Sequence, residues 1–171
     1  MSLPQPAALL DKMTRDLQNL TAQEQNEVVM IGIHTGGAWV AHQLHQRLNI
    51  QNELGSLDIS FYRDDFTQKG LHPQIKSSTL GDIEGKTLIL VDDVIMSGRT
   101  IRAAMNELFD YGRPAKIILA CLLDTGRREL PIQADVVGEK ITLAEDQRIK
   151  LSGPEPLALS MATIAKQGSP A

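Results

Sequence analysis

A single cysteine stands in 171 residues, so no disulfide can form within the chain. Cys121 lies inside the apolar run IILACLL, where a small buried hydrophobe is the expected role and a reactive thiol is not. Long apolar runs are missing as well: nowhere do about 18 apolar residues follow one another, which excludes a membrane-spanning helix. The N-terminus, MSLPQPAALLDKM, has no basic region leading into an apolar stretch, so no secretory signal is read there and a cytoplasmic protein is expected. Asn19-Leu20-Thr21 is then no glycosylation acceptor. Excess positive charge is also lacking. With a net charge of -4 and a pI near 5.5 the chain has no global field for nucleic acid, and any RNA contact needs a local patch. His42 and His45 sit three apart without Cys or carboxylate partners at ligand spacing, which argues against a metal site. There are no repeats and no interdomain linker.

What is present is globular composition, 42% hydrophobic and 22% charged, over the length of one ordinary domain, read as residues 1–171. Leu9, Leu10, Met13, Leu17 and Leu20 recur at helical spacing over residues 7–20. VVMIGI (28–33) is a short apolar strand that ends at His34-Thr35-Gly36-Gly37 and leads into a helix carrying Val40, Ala41, Leu44 and Leu48. LDISFY (57–62) alternates as a strand does. A long polar stretch follows it, RDDFTQKGLHPQIKSSTLGD, of the length that serves as a lid or binding loop. TLILV is a further strand, DDVIMSGRT a loop, and Ile101, Ala104, Met105 and Leu108 mark a helix ended by Gly112 and Pro114. KIILACLL is the next strand, with DTGRRELP the loop after it. Residues 153–171 are expected to be loosely ordered beyond their Leu and Met positions. Strands alternating with helices across glycine loops predict a mostly parallel central sheet flanked by helices. In such sheets ligands sit beyond the carboxyl ends of the strands, where the loops at 34–37, 63–65, 92–100 and 124–128 would gather.

Two of these loops resemble phosphate sites. Gly81-Asp-Ile-Glu-Gly-Lys-Thr87 imitates a nucleotide-hydrolase phosphate loop, but it has one residue too few between its glycines and enters a strand where it should leave one. Gly85-Lys86 is read as a turn. Met96-Ser97-Gly98-Arg99-Thr100, in contrast, opens a helix, whose first N–H groups, with the Ser97 and Thr100 hydroxyls and a close-approach glycine, suit a phosphate monoester. Directly upstream stand Asp92 and Asp93. Adjacent carboxylates repel and lose hydration on burial, so they call for hydroxyl or cationic partners. Sugar hydroxyls beside a phosphate cradle meet that need, which describes a ribose 5-phosphate pocket.

LILVDDVIMSGRT resembles the phosphoribosyl pyrophosphate (PRPP) signature of type I phosphoribosyltransferases. LDISFYRDDF, VDDVIMSGRTIRAAMNELFDYGRPAKI and RRELPIQADVVGEKI narrow the likeness to the PyrR family of pyrimidine operon regulators that are also uracil phosphoribosyltransferases. The resemblance covers roughly residues 7 to 151. It implies a type I phosphoribosyltransferase fold with a small hood, forming UMP and pyrophosphate from uracil and PRPP with Mg2+. It also implies UMP-responsive binding of pyrimidine operon leader RNA, and a homodimer or larger homo-oligomer. By position, Asp92 and Asp93 would hold the ribose 2- and 3-hydroxyls, and Val94, Ile95, Met96, Ser97, Gly98, Arg99 and Thr100 would wrap the 5-phosphate. Thr35, Gly36 and Gly37 match the pyrophosphate loop. Arg63 would face the pyrophosphate, with Asp64 and Asp65 in the lid, and Asp124, Thr125, Gly126, Arg127 and Arg128 fall in the part covering the base. Magnesium would be held through substrate oxygens and not directly by the protein.

Four positions depart from the family's usual residues. Gly36 stands where Arg is common, Thr125 where a basic residue is, Arg127 for His and Met96 for Tyr. The first change removes a pyrophosphate donor and leaves Arg127 or Arg128 as its substitute. Two further readings stay open: an RNA-binding attenuation regulator with little or no turnover, and a phosphoribosyltransferase for another base. Trp39 is read as a packing residue at the start of its helix. Lys140, Arg148 and Lys150 are read as solvated strand edges.

Overall fold

A computed structural model of the chain describes residues 2–59 and 78–165. Five parallel strands form the central sheet in the order β2-β1-β3-β4-β5. They are β1 (Val28–Ile33), β2 (Gly55–Leu57), β3 (Thr87–Ile95), β4 (Lys116–Asp124) and β5 (Val136–Lys140). Helices α1 (Pro6–Thr21), α2 (Gly36–Leu48) and α3 (Arg99–Tyr111) cover them, and β6 (Gln147–Ser152) pairs antiparallel with β7 (Ala158–Thr163) in a separate hairpin. No helix among the described residues is long and apolar enough to cross a membrane.

Strand alternation divides the core into two layers. Met30, Ile89, Val91, Ile118, Ala120 and Leu122 point to the face covered by α1 and α2, where they meet Leu10, Met13, Leu17, Val40 and Leu44. Their sequence neighbours Val29, Ile31, Leu88, Leu90, Leu119 and Cys121 point to the opposite face, against Ile101, Ala104 and Leu108 of α3. Burial on both faces is why these strands read as uninterrupted apolar runs. Cys121 is fully buried among them. Burial pushes its thiol well above the ordinary range, and the nearby Asp92, Asp124 and Asp93 charges push it further in the same direction.

Several expectations shift. Asp92 and Asp93 lie within β3 and not in a loop, because pairing with β4 continues through Ile95↔Asp124. The loop before α3 shrinks to residues 96–98. The expected strand 57–62 is instead the short β2 ending at Leu57, whose carbonyl accepts the His34 N–H at 2.9 Å; residues 60–62 lie outside the described residues. Leu20 does not join the helical stripe and is 45% exposed. Residues 158–163, expected to be loose, form β7, since Leu157, Leu159 and Met161 pack on the core through the hairpin. Gly112 ends α3 in extended backbone and makes no left-handed cap.

Leu44, fully buried where α2 meets β1 and β3, carries this packing most directly. Leu44→Ala is expected to cost about 2–5 kcal/mol through lost burial and a residual cavity, read as a lower midpoint in urea with an unchanged slope.

Candidate functional site

Chain order and sheet order together locate the cleft. From β1 the chain moves by α2 to one edge, at β2, whereas from β3 it moves by α3 to the other side, at β4. The crevice between β1 and β3 is therefore a topological switch point, and α2 and α3 begin there on opposite faces with their N-termini at the same carboxyl edge. Neither first turn is capped by a side chain of its N-cap residue, Thr35 or Gly98. Two helix ends thus direct first-turn N–H groups and positive dipole ends to one cleft. Gly98 sits at φ +92°, a conformation open to glycine at little cost, and Ser97 Oγ accepts the Arg99 N–H at 3.1 Å.

Between those helix ends lie the paired carboxylates. Asp92 is 5% exposed, and its Oδ1 accepts the Asp93 N–H at 2.9 Å; Asp93 Oδ1 in turn accepts the Val94 N–H at 2.9 Å. The loop 35–37 lies directly on them. A Cβ at Gly37 would stand 2.6 Å from the Val91 carbonyl oxygen and 2.9 Å from Asp92 Cα, both backbone atoms that cannot move aside. The nearest atoms to a Cβ at Gly36 would belong to the Asp93 side chain, with Cγ at 2.7 Å and Cβ at 3.1 Å. Position 37 therefore requires glycine, whereas a side chain at 36 is opposed by the side chain of Asp93.

A cavity of about 640 Å³ opens at the carboxyl ends of β4 and β5. The expected Asp124, Thr125, Gly126 and Arg128 line it, joined by Pro131, Ile132, Gln133, Lys140, Ile141 and Thr142. Sequence reasoning assigned none of these six to the site, and Lys140, expected at a solvated strand edge, lines the cavity. Their signal was weak, since β5 is only five residues long and was not recognised as a strand whose end could face a site. Asp124 is 4% exposed. Burial pushes its carboxyl up, but the Arg128 guanidinium at 2.8 Å and the Gly126 N–H at 2.8 Å outweigh that and hold it below the usual range. Arg127 donates from Nη2 to the Leu143 carbonyl at 2.9 Å and to that of Ala144, and Arg128 donates from Nη1 to the Met96 carbonyl at 2.8 Å. These contacts hold loops together, and a pyrophosphate role for either arginine finds no support in them. Arg63, Asp64 and Asp65 lie outside the described residues. Trp39 packs on the core as expected, and Arg148 and Lys150 alternate on the exposed side of β6. His45 Nε2 lies 2.8 Å from the Asn52 carbonyl oxygen, a structural contact.

Gly37→Ala should move the loop off β3 and lower kcat/KM for a bound phosphoribosyl substrate by about 100-fold, the scale expected when a reacting group is displaced by about 1 Å. Gly36→Ala, whose nearest neighbours are side-chain atoms of Asp93 and not the backbone of β3, should cost less stability than Gly37→Ala, while also lowering kcat/KM by displacing the Asp93 carboxyl. Steady-state kinetics of both variants, set beside their melting temperatures, test the contrast.

A family model described as phosphoribosyl transferase domain matches residues 3–153. Among curated proteins, the bifunctional protein PyrR of Pseudomonas aeruginosa is 58% identical over 167 residues, covering 96% of this chain and 98% of that one. Bifunctional protein PyrR of Pseudomonas savastanoi pv. phaseolicola is 57% identical with the same coverage. Among solved structures, a hypoxanthine-guanine phosphoribosyltransferase from Bacillus anthracis aligns with a TM-score of 0.67 at 24% identity, over 82% of this chain and 83% of that one. A hypoxanthine phosphoribosyltransferase from Staphylococcus aureus gives a TM-score of 0.67 at 22% identity, over 86% of this chain and 79% of that one. These two likenesses establish the type I phosphoribosyltransferase fold. With a switch-point cleft, paired carboxylates, a glycine loop laid on them and relatives this similar along almost the whole chain, the protein belongs to the PyrR family of phosphoribosyltransferases.

Proposed function

We propose that the cleft binds PRPP across Asp92 and Asp93 and transfers its phosphoribosyl group to uracil, giving UMP and pyrophosphate. The observation that carries this reading is the placement of two vicinal carboxylates between the N-termini of two helices whose N-cap residues make no side-chain cap bond. PRPP has the complementary pattern: ribose hydroxyls in the middle and an anion at each end. The 2- and 3-hydroxyls donate to Asp92 and Asp93, the 5-phosphate takes the N–H groups at the start of α3 with residues 94–100, and the pyrophosphate takes those of 35–37. The base lies in the cavity beside Asp124.

In the reaction a bond forms from uracil N1 to ribose C1 as the bond from C1 to the pyrophosphate oxygen breaks, and the N1 proton leaves to solvent. Positive charge develops on the sugar and negative charge on the departing group. The chain's residues contribute positioning and fixed dipoles: the Asp92 and Asp93 carboxylates orient the ring, and the backbone donors of 35–37 receive the developing charge. The donor set fits magnesium in a particular way. No cluster of three or more His, Cys, Asp or Glu side chains that could cage an ion occurs among the described residues. Two carboxylates beside a phosphate cradle instead suit an ion that keeps waters and takes oxygens from its substrate. Such an ion, when bound with PRPP, neutralises charge on the pyrophosphate. Relatives named bifunctional PyrR support a second function, regulation of the pyrimidine operon. We infer that it works through leader RNA whose binding UMP strengthens, by way of a local basic surface and not the net charge of -4.

Pyrophosphate release from PRPP and magnesium, with and without uracil, tests the enzyme reading. Wild type should release it only with uracil. Asp93→Asn, which loses one charge-assisted hydrogen bond of about 1.5–3 kcal/mol, should be slower by about 10- to 150-fold. Unchanged turnover in that variant contradicts the assignment of Asp93.

A further inference from the structure

The turn at 96–98 and the loop after Asp124 are far apart in sequence, and each completes the other's hydrogen bonds. Arg128 spans them: Nη1 donates to the Met96 carbonyl at 2.8 Å and Nη2 to Asp124 Oδ2 at 2.8 Å. Beside it the Ser97 carbonyl accepts two N–H groups from the same loop, Glu129 at 2.9 Å and Leu130 at 3.0 Å. Gly98 closes the contact, since a Cβ there would already stand 3.3 Å from Ile132 Cβ and 3.6 Å from Arg128 Cδ. The Asp124 side chain is 5% exposed and that of Arg128 is 21% exposed, so this ion pair is screened far less than a surface one. A guanidinium can serve two acceptors in fixed directions at once, which a lysine ammonium on a flexible stem cannot do equally well.

We propose that Arg128 is a positioning residue for the 5-phosphate subsite, although its own loop belongs to the base pocket. Its two-armed link holds the turn at 96–98 at a height set by Asp124, so that base pocket and phosphate cradle behave as one rigid unit. A ligand that fills only the phosphate cradle then depends on Arg128 without touching it. The inference rests on the phosphoribosyl reading of the cleft, and its test separates the two.

Ribose 5-phosphate, which carries the phosphate and hydroxyls but no base, is the probe. Its dissociation constant is measured by calorimetry on wild type and on Arg128→Lys, which keeps the positive charge beside Asp124 but loses the fork. Wild type should bind, and Arg128→Lys should bind about tenfold more weakly or worse, with a similar rise in KM for PRPP. Equal affinity in the two proteins, or a loss confined to KM for uracil, overturns the positioning role and leaves the function intact. No binding by wild type overturns the functional reading itself. A second measurement needs no variant: ribose 5-phosphate should slow amide hydrogen exchange at Glu129 and Leu130, whose N–H groups are held by Ser97. Exchange there that ignores the ligand, while the start of α3 is protected, likewise overturns the proposal.

Discussion

Two carboxylates side by side at the end of a buried strand are the constraint around which this molecule is arranged. Asp92 is 5% exposed and Asp93 is half-buried, so neither can rely on bulk water, and each accepts the N–H of the residue that follows it. Helix ends on both sides present positive dipole ends to the same crevice. Glycines at 36 and 37 let the chain lie against those carboxylates, and at 37 the neighbours are backbone atoms with no freedom to yield. The sheet order places this assembly between β1 and β3, the one position in a doubly covered sheet where successive connections diverge and leave an opening.

The same arrangement links the chemistry to its regulation. A cleft that is negative in the middle and positive at two ends matches a pentose with an anion at each end. It also matches the product, which keeps the hydroxyls and the 5-phosphate and has exchanged pyrophosphate for a base. On the proposed reading, substrate and product share one set of donors and acceptors, and a nucleotide-sensing protein needs no second pocket. The loop after Asp124 is joined to the turn before α3 by two hydrogen bonds to the Ser97 carbonyl.

Much of this was legible in the sequence, for physical reasons that also mark where it stopped. β1 and the core of β4 were readable because strands buried on both faces leave uninterrupted apolar runs, and the α1 and α3 stripes because one face of each helix is buried. Asp92 and Asp93 read as a candidate site in a loop, but they lie within β3. Polarity signals exposure, and nothing in the residues reveals that β4 continues pairing alongside them to Asp124. β2 was displaced because Ile59 is buried without being in a strand, so alternation beyond Leu57 imitated one. β7 was missed because its strand is half-exposed and flanked by prolines, which read as loose chain, while its register is set by the distant β6. The second half of the cavity beside Asp124, from Pro131 to Thr142, is assembled only by tertiary contact. Arg127 and Arg128 fall in the segment expected to cover the base, and their carbonyl partners Leu143, Ala144 and Met96 are ones that no spacing rule could identify.

The most direct test of the account is a crystal structure of the protein with UMP bound. The account predicts the ribose 2- and 3-hydroxyls on the Asp92 and Asp93 carboxylates, the 5-phosphate on the backbone N–H groups at the start of α3, and uracil in the cavity beside Asp124. A phosphate seated away from residues 96–100, or hydroxyls that do not reach the two aspartates, would contradict it.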